Sequence, residues 1–320
     1  MSFKEIKGNR QTIEFLKNVF LSKRIPGTFL FYGKEGIGKR LVAKNLAKAI
    51  NCLKNDNMKP CDECVSCRKI ETANHPDIFW IYPEAGKEVI KIEQIRDLKE
   101  KIYLKKSEAR KKVFIIDNAE SLSIEAANAC LKILEEPPQD SLIILVSTDL
   151  KRMLPTIISR CYKIKFVPLA KKELKFILKE EYGKEETLAH YLAYFCEGRI
   201  GRALNLSKKE DLLNWKNEII DNFFSFNFTY ENKQISREKT REILEIILSF
   251  FRDIFIIKST SSQEEIINID CQQWLLRDAR LYSFFQLTQI TDFVIESFFW
   301  LERNINPKLI LDNLKIMAVR

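Results

Sequence analysis

Residues Thr28–Arg40 read T-F-L-F-Y-G-K-E-G-I-G-K-R, a short apolar run that passes directly into a glycine-rich turn ending on Lys39. The run Thr28–Tyr32 predicts a buried strand, and Lys39–Ile50 (KRLVAKNLAKAI) spaces its apolar residues with a helical period. The turn between them has the spacing G-x-x-x-x-G-K of a phosphate-binding loop, and it sits where that loop must sit, between strand and helix. Gly33, Gly36 and Gly38 would let backbone N–H groups curl around an anion, the helix N-terminus adds positive charge, and Lys39 would reach the terminal phosphates. A turn that merely joins strand to helix is the competing reading. The residue after the lysine should be Ser or Thr, whose hydroxyl holds Mg²⁺. Here it is Arg40, which cannot coordinate a cation.

Outward from this unit, strands expected at Phe79–Tyr82, Lys112–Asp117 and Ser141–Ser147 alternate with helices at Glu93–Tyr103 and Ser123–Glu135. That alternation predicts a parallel α/β sheet. The strand at 112–117 ends in Asp117-Asn118-Ala119-Glu120, where a nucleotide hydrolase would place an acidic pair. Asp117 suits Mg²⁺, but Asn118 is a much weaker proton acceptor than the glutamate expected there. Glu120 lies two residues further on and need not face the nucleotide. Together, Arg40 and Asn118 point to a loop whose own hydrolysis is doubtful, with ATP or ADP as an open question.

Cys52, Cys61, Cys64 and Cys67 form C-x8-C-x2-C-x2-C immediately after the loop's helix. Four thiolates in so short a span suit one tetrahedral, structural Zn²⁺, whose binding would order a polar insert. His75, within His-Pro-Asp, reads as a packing or hydrogen-bonding residue, and Cys130, Cys196 and Cys271 read as inert core. A length of 320 residues implies two or three domains. With 46% hydrophobic and 30% charged residues and only 9 Gly and 9 Pro, the composition excludes a disordered or fibrous chain. The net charge of +9 permits contact with nucleic acid without concentrating in a basic tail. The N-terminal MSFKEIKGNRQ has no secretory layout and no run approaches ~18 apolar residues, so a cytoplasmic protein without membrane contact is expected. Strand signals nearly vanish beyond Pro168. Boundaries are therefore expected near 167 and 208: an α/β domain at 1–167 with the cysteine insert at 52–67, a small helical domain at 168–207, and a helical domain at 208–320.

The glycine loop, the four-cysteine insert, His75-Pro76-Asp77, the run Leu131-Lys132-Ile133-Leu134-Glu135-Glu136-Pro137-Pro138 and Ser159-Arg160-Cys161 together resemble the bacterial DNA polymerase III clamp-loader AAA+ family, most of all its delta-prime branch. The resemblance implies a P-loop AAA+ domain with a zinc module, a small helical lid and an all-α collar that joins several subunits in a ring. It implies gamma/tau-type motor subunits, a delta-type subunit, the sliding clamp and primed DNA as partners, with DNA contacted independently of sequence. Arg160 would be an arginine finger reaching the ATP site of an adjacent motor, with Ser159 and Cys161 shaping that corner. Gly201, in Gly198–Leu204 (GRIGRAL), falls where the motors carry their sensor 2 arginine. Arg40, Asn118 and Gly201 thus all point to a largely non-hydrolysing scaffold. The alternatives are an active gamma/tau-type ATPase and an unrelated P-loop regulator that binds DNA.

Overall fold

The expected strand, loop and helix at 28–51 form as read, because Phe29, Leu30 and Phe31 are fully buried and Val42, Ala43, Leu46 and Ala47 of the helix turn one face onto them. The structure is a computed structural model that describes residues 6–22, 25–54, 60–224, 235–260 and 264–318. Two compact units emerge: residues up to Leu169 with Arg199–Arg202, and Ala170–Gly198 with the residues from Ala203 onward.

The first unit runs α1 (Arg10–Leu21), β1 (Thr28–Tyr32), α2 (Lys39–Asn51), α3 (Val65–Glu71), β2 (Ile78–Ile81), α4 (Ile92–Tyr103), β3 (Lys112–Asp117), α5 (Ile124–Glu135), β4 (Ser141–Ser147), α6 (Pro155–Ile158) and β5 (Tyr162–Lys165). All pairings are parallel, in the order β2-β3-β4-β1-β5. Side chains alternate between faces, as the strand period of two requires. Val113, Ile115 and Ile144 join α1 and α2 in one core, while Phe114, Ile116, Ile143 and Leu145 join α4, α5 and α6 in another. Burial on both faces explains why the central strands read as continuous apolar runs. Strand β5 lies at the edge with only Ile164 buried, so its sequence, YKIK, carries little apolar signal. Neither it nor α3 is evident from the sequence.

The order of the sheet places the glycine loop at the C-terminal end of β1, beside the ends of β3 and β4, the usual crevice for ligands in such sheets. Ser123 caps α5 by accepting from the Ala126 N–H, and the Asp77 carboxylate accepts from the N–H groups of Ser107, Glu108 and Ala109 at 2.8–3.0 Å. These bonds satisfy donors that would otherwise be orphaned at a helix start and in the loop leading into β3.

The second unit is helical, as the sequence predicts: α7 (Lys171–Glu180), α8 (Glu186–Phe195), α9 (Ile200–Leu206, its first turn counted with the sheet unit), α10 (Leu212–Phe224), α11 (Arg237–Ser259), α12 (Gln272–Leu281), α13 (Phe284–Glu302) and α14 (Pro307–Met317). Its core is built on α11 and α13 through residues such as Ile247, Phe250, Phe251, Leu287, Ile290 and Val294. The segment 266–271 is held by buried polar groups. Asp253 accepts from the N–H groups of Ile267 and Asn268, His190 Nε2 lies 2.8 Å from the Ile266 carbonyl, and Lys216 meets Asp270 at 2.8 Å. Cys271 is buried in the helical core as expected, and its Sγ also contacts Lys216 Nζ and donates to Asn217 Oδ1 at 3.0 Å. Among the described residues no helix is long and apolar enough to cross a membrane.

Candidate functional site

The glycine loop turns on three glycines of positive φ. Gly33, Gly36 and Gly38 have φ of 142°, 76° and 93°, conformations that side-chain-bearing residues rarely adopt. Lys39 opens α2 and is buried, and its Nζ donates to the carbonyls of Gly33 and Lys34 at 2.5 and 2.7 Å. Burial lowers the Lys39 pKa below its ordinary value, while the charges of Glu120, Asp117 and Glu35 oppose that shift.

Arg40 turns toward the end of β3. Its Nη1 lies 3.3 Å from Asp117 Oδ2, and its guanidinium sits 5.2 Å from the centre of the Trp80 ring. Burial pushes the Asp117 carboxyl up, and Arg40 works against that rise. The guanidinium thus pairs with a carboxylate whose oxygens could otherwise be offered to a cation. Asn118 follows with φ 54° and ψ 51°, a left-handed conformation that Asn tolerates better than most residues and that opens the 3-10 turn Ala119–Ser121. Glu120, whose direction the sequence leaves open, is held by Thr148. Its Oε1 accepts from the Thr148 N–H at 3.0 Å and from the Thr148 hydroxyl, and its charge acts on Lys39.

The segment Arg199–Arg202 lies on the same loop. The Gly201 N–H donates to the Gly36 carbonyl at 2.7 Å, and a Cβ at Gly201 would come within 3.0 Å of that oxygen. Any larger residue would press on the Gly36 backbone. Trp80, Thr148 and the Gly36 contact have no motif of their own, so sequence spacing does not flag them.

The four cysteines converge. Sγ atoms of Cys52, Cys61, Cys64 and Cys67 all lie within 4.8 Å of one another. Tetrahedral thiolates around zinc, with Zn–S of ~2.3 Å, stand about 3.8 Å apart, so the donor set fits that ion. Backbone N–H groups of Cys64 and Cys67 donate to Sγ of Cys61 and Cys64 at 3.3 and 3.4 Å. Burial opposes ionisation of Cys64, but hydrogen bonds from the N–H groups of Cys67 and Leu53 and from the Cys67 and Cys61 thiols outweigh it and bring the thiol down to about 6. Lys48 of α2, fully buried, braces the insert by pairing with Asp62 at 2.8 Å and with Glu71. His75 is buried, and its Nδ1 accepts from the Asp77 N–H at 3.2 Å.

Arg160 lies just beyond α6. Its Nε donates to Glu135 Oε2 at 2.9 Å and its Nη1 to the Thr156 carbonyl at 3.1 Å, leaving about a third of the side chain exposed. Cys161 next to it is buried, which pushes its thiol up to about 12. Glu135, from the Leu-Glu-Glu-Pro-Pro run, is a partner that spacing alone does not reveal.

Comparison with known proteins finds clear relatives. The chain is 29% identical over 318 residues to DNA polymerase III subunit delta' of Bacillus subtilis, covering 96% of this chain and 95% of that protein. It is 38% identical over 133 residues to subunit delta' of Pseudomonas aeruginosa, covering 42% and 40%. To subunit gamma of Buchnera aphidicola it is 36% identical over 209 residues, covering 64% of this chain and 57% of that protein. Residues 209–315 match the family described as DNA polymerase III, delta subunit, C terminal. Residues 8–170 match the family described as DNA polymerase III, delta subunit, and the chain belongs to that family.

Proposed function

We propose that this chain is the delta-prime-type subunit of the DNA polymerase III clamp loader, a cytoplasmic scaffold that does not itself hydrolyse ATP and lends Arg160 to a neighbouring motor. The similarity to delta' of Bacillus subtilis along nearly the whole chain supports the delta-prime type. The observation that carries the non-hydrolysing part is the Arg40–Asp117 ion pair, which sets a fixed organic cation against the carboxylate a catalytic Mg²⁺ would need. Asn118 removes the proton acceptor, and Gly201 supplies no side chain toward the phosphates.

In this reading gamma/tau-type motors and a delta-type subunit flank the chain, and the assembled ring loads the sliding clamp onto primed DNA. Residues 168–207 act as the lid and 208–320 as the collar. Arg160 leaves Glu135 to approach the neighbour's γ-phosphate, where its fixed charge stabilises the transition state. Releasing that partly exposed pair costs at most about 1 kcal/mol. Zn²⁺ held by the four cysteines is structural, since four thiolates leave no open position. The positive excess of the chain suits phosphate contacts that ignore sequence and weaken with salt.

Steady-state ATP turnover by the purified chain with Mg²⁺ tests this. No turnover above background is expected. Hydrolysis by the chain alone would identify it as a motor of gamma/tau type.

A further inference from the structure

The Lys39 ammonium is almost wholly buried, yet its direct partners are two neutral carbonyls, and among the described residues it forms no ion pair. A buried charge compensated only at a distance is unfavourable until an anion meets it. The cradle around it is already shaped by the three positive-φ glycines, and a Cβ built on Gly38, at the N-terminus of the 13-residue α2, meets nothing within 4 Å. Space and positive potential therefore coincide at the helix start.

The cation that normally accompanies a bound nucleotide has its place taken. The Arg40 guanidinium is held from two directions, by Asp117 at 3.3 Å and by the Trp80 ring at 5.2 Å. It carries its charge permanently and offers donors to phosphate oxygens, whereas Mg²⁺ beside Asp117 would be repelled by it and would find no hydroxyl ligand at position 40. Acidic groups also act on Lys39. Glu120 is fixed by Thr148, its Oε2 is buried with no hydrogen-bond partner, and together with Asp117 and Glu35 it acts on Lys39. A third phosphate would bring further negative charge toward that group.

We propose that the Gly33–Lys39 loop binds a nucleoside diphosphate without a divalent cation, Arg40 serving as the built-in counter-charge. This rests on the non-hydrolysing reading and specifies the ligand of the same site.

The test titrates the full chain with N-methylanthraniloyl-ADP, following probe fluorescence, in Mg²⁺ and in EDTA, with unlabelled ATP as competitor. The wild-type Kd should agree within about twofold between the two media, and ATP should compete at least about tenfold more weakly than ADP. Arg40→Thr, at an exposed position, should make binding depend on Mg²⁺ by about tenfold or more. Binding that requires Mg²⁺ in the wild type, equal responses of wild type and Arg40→Thr, or no binding in either medium would overturn the proposal. Phosphate release measured in the same samples separates the two readings: turnover would refute the non-hydrolysing role, whereas absent binding without turnover refutes only this site.

Discussion

Lys48 ties the cysteine insert to the helix that carries the phosphate loop, and a double-mutant cycle with Glu71 measures that tie. The ammonium is completely buried, while Asp62 and Glu71 keep about a quarter and just over a third of their side chains in water. Burial raises the Glu71 carboxyl, but hydrogen bonds from Lys44 and Lys48 outweigh it and bring the pKa from 4.5 down to about 2. At face value that depression is about 3.4 kcal/mol, at ~1.4 kcal/mol for each tenfold change in proton affinity. Because the carboxylate is more than a third exposed, screening reduces it to ~1.5–2 kcal/mol, and Lys44 and Lys48 share it. Urea denaturation of the zinc-loaded chain should therefore give a coupling of ~1 kcal/mol between Lys48→Met and Glu71→Gln at neutral pH. The folded-state pKa is depressed, so this contribution is fully present above the unfolded value near 4.5 and fades as pH falls through about 2. A coupling within about 0.3 kcal/mol of zero at neutral pH would refute the bracing argument.

Cys61→Ser should reduce bound zinc from about one ion per chain to a small fraction and lower stability by several kcal/mol, read by metal analysis and denaturation; a wild-type chain free of zinc after purification in zinc-containing medium would end that reading. Asp77→Ala should cost ~2–4 kcal/mol, because the N–H groups of Ser107, Glu108 and Ala109 lose a charged acceptor. Burial opposes ionisation of Asp77, but these N–H bonds hold its pKa below the ordinary carboxylate value, so the wild-type advantage should stand at neutral pH and shrink in acid; an advantage independent of pH would contradict the assignment. Gly201→Val should loosen the Gly36 contact and destabilise the sheet unit by ~1–3 kcal/mol, with faster amide exchange at 199–202 as the readout. Unchanged exchange would count against that contact.

Much of the sheet unit is legible because its central strands are buried on both faces and its helices are amphipathic, so β1, β3, β4 and α2 announce themselves through apolar runs and periodicity. Strand β5 is hidden because an edge strand pairs through its backbone and needs only Ile164 in the core. Helix α3 is hidden by its shortness and by cysteines that point to metal before they suggest helix. At the site, glycine spacing and the end of β3 identify Lys39, Arg40 and Asp117. They cannot reveal that Arg40 turns onto Asp117 and Trp80, since Trp80 arrives from a strand forty residues away and its role depends on sheet order. The sequence leaves open where Glu120 points; in the fold its Oε1 accepts from Thr148 and its charge acts on Lys39. Cys271 reads as core and is buried there, but its contacts with Lys216 and Asn217 stay hidden, because cysteine in a helical pattern gives no sign of its polar neighbours.

In the proposed role this chain contributes Arg160 to a motor while hydrolysing nothing itself. The most direct measurement is DNA- and clamp-stimulated ATP turnover by a loader reconstituted from gamma/tau-type and delta-type subunits with wild-type, Arg160→Ala or Arg160→Lys chain. Among the described residues Arg160 has only the partly exposed Glu135 and a carbonyl as partners, so both variants should fold with losses of at most about 1 kcal/mol. Turnover should nonetheless fall by an order of magnitude or more with Arg160→Ala, roughly the lower end of what such a finger contributes, and Arg160→Lys should not restore it. Turnover unchanged by Arg160→Ala in an assembled loader would contradict the account.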